Sequence, residues 1–114
     1  MIKYSVGDVV SVEFPFSDLR QHRRRPGLVL VSGDIDLLMA RLTTHPAREP
    51  SDVTLTHWAE TGLPRASTVR LTKLATIDHL LVHHKIGRLH GEDARRVAEV
   101  WDLLSKSIQA GLGK

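Results

Sequence analysis

The chain has 114 residues, no cysteine, seven histidines and a formal charge of +3 at pH 7. That length suits one domain, 1–114, built on a single core, and the lack of cysteine excludes a disulfide framework, a thiol nucleophile and a cysteine-based metal site. The basic balance points to a polyanionic partner, while apolar runs far shorter than the ~20 residues of a membrane span, and no apolar leader after Met1, predict a cytoplasmic protein without a membrane partner.

In chain order, Tyr4 to Phe14 reads as a first strand after a turn at Gly7-Asp8. Apolar and polar side chains alternate, putting Val10, Val12 and Phe14 on one face, the pattern of a half-buried strand. Pro15 ends the pairing because it has no N–H to donate. A loop over 17–25 then collects Arg20, His22, Arg23, Arg24 and Arg25. Pro26 holds Arg25 in an extended conformation, since the proline ring clashes with a helical predecessor. Leu28 to Val31 is continuously apolar, as in a strand covered on both faces. Ser32-Gly33-Asp34 reads as a turn, Ile35 to Leu42 as a third strand, and Thr43-Thr44-His45-Pro46 as its close. A polar loop over 47–52, a short strand Val53 to Leu55 and a second loop over 57–66 follow. Ser67 to Leu71 and Lys73 to Ile77 are the last strands, joined through a bend near Thr72, and Asp78 to His84 reads as a single helical turn. Glu92 to Ile108 is the one long helix, with Ala94, Val97, Trp101, Leu104 and Ile108 forming an apolar stripe at three- and four-residue spacing. The sum is a mainly β, α+β domain, a small barrel or curled sheet capped by a C-terminal helix.

Two features carry chemistry on residue type alone. Arginine suits phosphate because its planar fork donates parallel charge-assisted hydrogen bonds. Arg20, Arg23, Arg24 and Arg25 therefore read as a footprint for a nucleic-acid backbone, or else as a solvated turn guarding a sheet edge. Trp58 offers a face for stacking on a base, or a cover for the core. His79, His83 and His84 lie close in sequence, but lack of cysteine and a single neighbouring carboxylate, Asp78, argue against a metal site there. No metal or other cofactor is expected.

Gly7-Asp8-Val9-Val10, Phe14-Pro15-Phe16-Ser17-Asp18-Leu19 and Arg24-Arg25-Pro26 with Leu28-Val29-Leu30 resemble the N-terminal half of the MazF/PemK family, toxins of bacterial type II toxin–antitoxin pairs. Val69-Arg70-Leu71, Ala75-Thr76-Ile77-Asp78 and Lys85-Ile86-Gly87-Arg88-Leu89, followed by a terminal helix, are similar to its second half. The resemblance covers nearly the whole chain in order. It implies the SH3-like barrel shared with CcdB-type toxins, a homodimer with a groove along the interface, and an acidic antitoxin partner that occupies the groove. It also implies an endoribonuclease that cleaves single-stranded RNA without a metal, by attack of the 2′-hydroxyl on its own 3′-phosphate. On that reading Arg25 and Thr43 are the catalytic pair, with Thr44 the alternative one residue on.

That reaction needs a group to take the 2′-hydroxyl proton and an acid for the departing oxygen. Arginine is a poor base, so His22 and His45, which flank the pair in sequence, are the candidate acid and base. Arg20, Arg23, Arg24, Thr44 and Trp58 are the candidate RNA contacts. Where some family members carry a carboxylate before the Arg-Pro pair, this chain has Arg20-Gln21-His22. Two rival functions share the fold class: a non-catalytic toxin that binds a protein, in the manner of the gyrase poisons, and a passive RNA-binding module.

Overall fold

A computed structural model describes residues 3–13 and 24–114. Phe14, and Arg20, His22 and Arg23 of the basic loop, lie outside the described residues. Strand β1, Asp8–Glu13, leaves a turn at Gly7 that Asp8 closes by donating its N–H to the Ser5 carbonyl at 3.0 Å. Every residue from Asp8 to Val12 is buried, so β1 is covered on both faces rather than the one that alternation predicts. Val9 packs into one apolar cluster, Val10 and Val12 into another.

Strand β2 spans Arg24–Ser32 and β3 spans Asp36–Thr43. Arg24 and Arg25 are thus strand residues, opposite Glu13 and Val12, and not part of the preceding loop. The β2–β3 ladder begins at Gly27 opposite Arg41, so the donor that Pro26 lacks falls just beyond it. Burial along β2 stops short of the expected run: Leu28 and Val29 are buried, but Val31 is exposed.

Strand β4 is Asp52–Thr54, and β5 is a single strand, Thr68–Asp78, where the sequence reads as two. The expected bend survives as a bulge. Ala40 faces Leu74 while Arg41 faces Arg70, so β5 has extra residues around Thr72. After a 3₁₀ turn over His79–Leu81 comes β6, Val82–Arg88, a strand where a helical turn is expected. Buried Asp8 fastens β6 to β1. It accepts from Ser5 N–H at 2.8 Å and Arg88 at 3.0 Å, and pairs with Lys85 at 3.2 Å.

The sheet order is β4-β5-β3-β2-β1-β6, antiparallel throughout. Bulges in the β1–β6, β2–β3 and β3–β5 pairs curl it into an SH3-like barrel that stays open between β4 and β6. Alternate residues of each strand enter the two clusters: Val9, Leu28 and Ala40 the first, Val10, Val29 and Met39 the second. Helix α2, Gly91–Leu112, closes the first cluster with Val97, Ala94, Trp101 and Leu104. The predicted stripe reaches the core only that far, because Ile108 is exposed.

The loop expected over 57–66 contains a one-turn helix, α1, Trp58–Thr61, ended by Gly62 at φ 102°. It sits against β6, and Gly87 makes the approach possible. A Cβ on Gly87 would lie 1.8 Å from the Thr61 carbonyl oxygen. Gly87→Ala is therefore expected to lower stability by about 1–3 kcal/mol, the range for forced overpacking. Chemical denaturation checks this, and a wild-type midpoint would show that α1 shifts freely.

Candidate functional site

Alternation along two adjacent strands builds the site. Gly27 of β2 faces Arg41 of β3. Stepping outward by two along each strand keeps to the same face and reaches Arg25 on one and Thr43 on the other. Further inward on that face lie Val29 and Met39 of the second apolar cluster. The core thus ends, at the neighbouring ends of β2 and β3, in a layer of two arginines and a threonine. Arg25, Arg41, Thr43, Thr44 and His45 line a cleft of about 150 Å³ there. Pro26 and Leu42 complete its walls with Ser67, whose hydroxyl donates to the Arg65 carbonyl at 2.9 Å.

Thr43 is the last residue of β3, opposite Thr68. Its Oγ1 accepts the His45 N–H at 3.2 Å, which leaves the hydroxyl hydrogen available as a donor. Thr44 and His45 are exposed at the rim. Of the expected residues, Arg25, Thr43, Thr44 and His45 thus converge. Arg24 follows alternation onto the other side of β2 and is exposed. Trp58 lies on α1, packed against the first apolar cluster and outside the cleft lining. Its ring is partly buried against that cluster.

The electrostatics are one-sided. Among the described residues, no acidic side chain lines the cleft. Arg70, opposite Arg41, is neutralised by Asp52 at 3.3 Å and Glu49 at 3.6 Å. Burial works to raise the Asp52 carboxyl, but hydrogen bonds from Arg48 N–H, Arg70 and Glu49 N–H outweigh it and hold the group below the usual carboxylate range. Among the described residues, Arg41 has no such compensation. Burial, then the charges of Arg25 and Arg70, pull its guanidinium below the ordinary arginine value. Its Nε is buried without a hydrogen-bond partner among the described residues. The sequence reading missed Arg41, although the signal was present: a residue two before Thr43 on a strand shares its face.

A second polar cluster joins α1 to the start of α2. The rings of His57 and His90 stack with centroids 3.7 Å apart. His57 bonds Glu60 at 3.0 Å and Glu92 at 3.1 Å, and those two carboxylates raise its imidazole above the usual value. His90 meets Glu60 at 3.4 Å. His57, Glu60 and His90 are close enough to suggest a metal centre. Face-to-face rings, however, cannot share an ion, because a ligated metal lies in the plane of each imidazole. The His57–Glu92 bond links the residue before α1 to the first turn of α2. His79, on the 3₁₀ turn, bonds the Gly33 carbonyl at 3.0 Å, while His83 and His84 are consecutive strand residues that alternate in direction.

An open SH3-like barrel with a terminal helix, and a cationic cleft where its second core meets the ends of β2 and β3, defines a small barrel protein equipped to attract an anion. Residues 5–104 match the model of the PemK-like, MazF-like toxins of type II toxin–antitoxin systems, and the chain belongs to that family. Among solved structures it is similar to MazE-MazF (Form-II) from Deinococcus radiodurans, with TM-score 0.74, 21% identity and 96% and 98% of the two chains covered. It is also similar to an endoribonuclease from Mycobacterial species, with TM-score 0.68, 17% identity and 88% of each chain covered. An endoribonuclease in complex with its cognate antitoxin, again from Mycobacterial species, gives TM-score 0.66 at 15% identity over 82% and 86%. No curated protein matches the chain. Among the described residues, no helix is long and apolar enough to cross a membrane.

Proposed function

We propose that this chain is a toxin endoribonuclease that cleaves single-stranded RNA in the cleft of Arg25, Thr43 and His45. The observation that carries the reading is the meeting of these three side chains in a pocket whose described lining has no acid. A scissile phosphate brings the negative charge that such a pocket lacks. The 2′-oxygen attacks phosphorus as its proton leaves, and the bond from phosphorus to the 5′-oxygen breaks as that oxygen gains a proton. The products are a 2′,3′-cyclic phosphate and a 5′-hydroxyl.

Arg25 places two parallel donors on the non-bridging oxygens, where charge builds up in the transition state. The Thr43 hydroxyl donates a further bond, with the His45 N–H fixing its oxygen from behind. His45 at the rim carries an imidazole, the side chain most often used for proton transfer in catalysis. The chemistry assigned to these residues uses no metal. His45→Ala is expected to lower the cleavage rate by about 10²-fold, at the low end for general acid–base groups. An unchanged rate would move proton transfer to another residue, with His22 the next to test.

The family membership, and the antitoxin complexes among the similar folds, support two further parts of the reading. The toxin acts as a homodimer, and an acidic antitoxin segment blocks the cationic cleft by charge complementarity. Mixed-sequence single-stranded RNA incubated with the protein and EDTA tests the whole. Discrete fragments with 5′-hydroxyl ends are expected. Intact RNA across varied sequences would replace the enzyme with a binding protein of the same fold.

A further inference from the structure

The cleft holds one cation more than the proposed reaction uses. Arg41 lines it, lies on the same strand face as Thr43 and is partly buried. Its Nε, shut away from water, has no acceptor among the described residues. Across the sheet on one side is Gly27, which has no side chain to contribute. On the other is Arg70, whose guanidinium is already taken by Asp52 and Glu49. A buried guanidinium donor without an acceptor is costly, and a neighbouring cation at Arg25 adds to the cost. An arrangement of this kind is relieved by an anion from outside the chain.

The position identifies the anion. Thr43 and Arg41 are two residues apart along β3, a rise of about 6.6–6.8 Å. That is comparable to the separation of successive phosphates in an extended single strand. We propose that Arg41 is a second phosphate-binding residue of the cleft, taking the backbone phosphate adjacent to the one served by Arg25 and Thr43. The inference rests on the RNA-cleaving reading for the identity of the ligand, but not for the existence of the contact. Arg41 contributes to holding the strand, so its loss acts on binding before it acts on chemistry.

The test uses an uncleavable 2′-O-methyl RNA, so that affinity is read without turnover. For a single strand, each neutralised phosphate contributes about 0.7 to the slope of log K against log salt. Arg41→Gln is expected to reduce that slope by about 0.7 and to weaken binding about tenfold at moderate salt, with KM raised more than kcat is lowered. Arg41→Lys keeps the charge and loses the fork, so the slope holds while affinity falls a few-fold. It also serves as the probe should Arg41→Gln fail to fold.

Wild-type affinity and slope in Arg41→Gln, or in Arg41→Lys an affinity equal to wild type when Arg41→Gln is unfolded, would overturn the inference. If that occurs while the wild type cleaves RNA, the proposed function stands without a role for Arg41. If the wild type cuts no RNA but the slope still falls in Arg41→Gln, the contact is upheld and the enzyme reading is the one that fails.

Discussion

Arg25→Ala is expected to cut RNA cleavage by about 10³-fold, the loss seen when a donor aimed at developing transition-state charge is removed. That corresponds to about 4 kcal/mol of lost transition-state stabilisation. Stability should behave differently. Arg25 has no ion-pair partner among the described residues, and its charge is one of the causes that depress the Arg41 guanidinium. Removing it relieves a like-charge contact at the end of a strand. The variant should therefore unfold at the wild-type temperature or slightly above it while losing nearly all activity. Native sites that sacrifice stability for function show this combination. Arg25→Lys keeps the charge without the planar fork and should fall between the two, because lysine offers a phosphate only a point charge. Gel-resolved cleavage with end-group analysis, run beside thermal unfolding, reads both axes. Equal cleavage by Arg25→Ala and wild type would remove Arg25 from the mechanism. Lost cleavage with a collapsed melting temperature would make its role structural.

How far the sequence carries can be argued from particular segments. β1, β2, β3 and α2 were legible because each buries a regular apolar pattern, and burial is what periodicity reports. β6 was not legible, because Val82-His83-His84-Lys85-Ile86-Gly87-Arg88 is an edge strand with its polar residues exposed. Lysine and histidine on such a strand deter edge pairing and erase the alternation that would announce it. α1 was hidden for another reason. A four-residue helix has too few positions to show a period, and what holds it, the close approach at Gly87, is a long-range contact. At the site, Arg25 and Thr43 were found through motif resemblance and His45 through its place two residues after Thr43, whereas Arg41 needed a fact about distant residues. Only the pairing of Arg70 with Asp52 and Glu49 reveals that, among the described residues, Arg41 lacks the carboxylate its neighbour in the row has. Chain order does not report which of several arginines is left uncompensated.

The same limit hid Asp93, which looks in sequence like an ordinary acidic residue in the first turn of a helix. In the fold it is fully buried. It accepts the N–H groups of Thr56 at 2.9 Å and His57 at 2.8 Å, and an Arg96 N–H at 2.6 Å. Arg96 in turn reaches the Thr54 carbonyl, so this carboxylate ties the end of β4 and the start of α1 to α2. Burial works to raise its pKa, but the bonds from Thr56, Arg96 and His57 prevail, and the group sits below its ordinary value.

Asp93→Ala leaves two backbone donors and a guanidinium without their acceptor. It is expected to cost about 3–5 kcal/mol, as for one partner removed from a buried charge pair. That is a large share of the roughly 5–15 kcal/mol that holds a domain together. Asp93→Asn keeps one acceptor oxygen and should lose less. The pH dependence gives an independent check. A depressed carboxyl contributes stability that is complete above the unfolded value of about 3.9 and is lost as pH falls through the folded one. The gap between wild type and Asp93→Asn should accordingly be constant from about pH 8 to pH 5 and narrow below about pH 4. Urea titrations across that range decide the point. A gap that persists undiminished at about pH 3 would mean that Asp93 acts through shape and packing rather than through its charge.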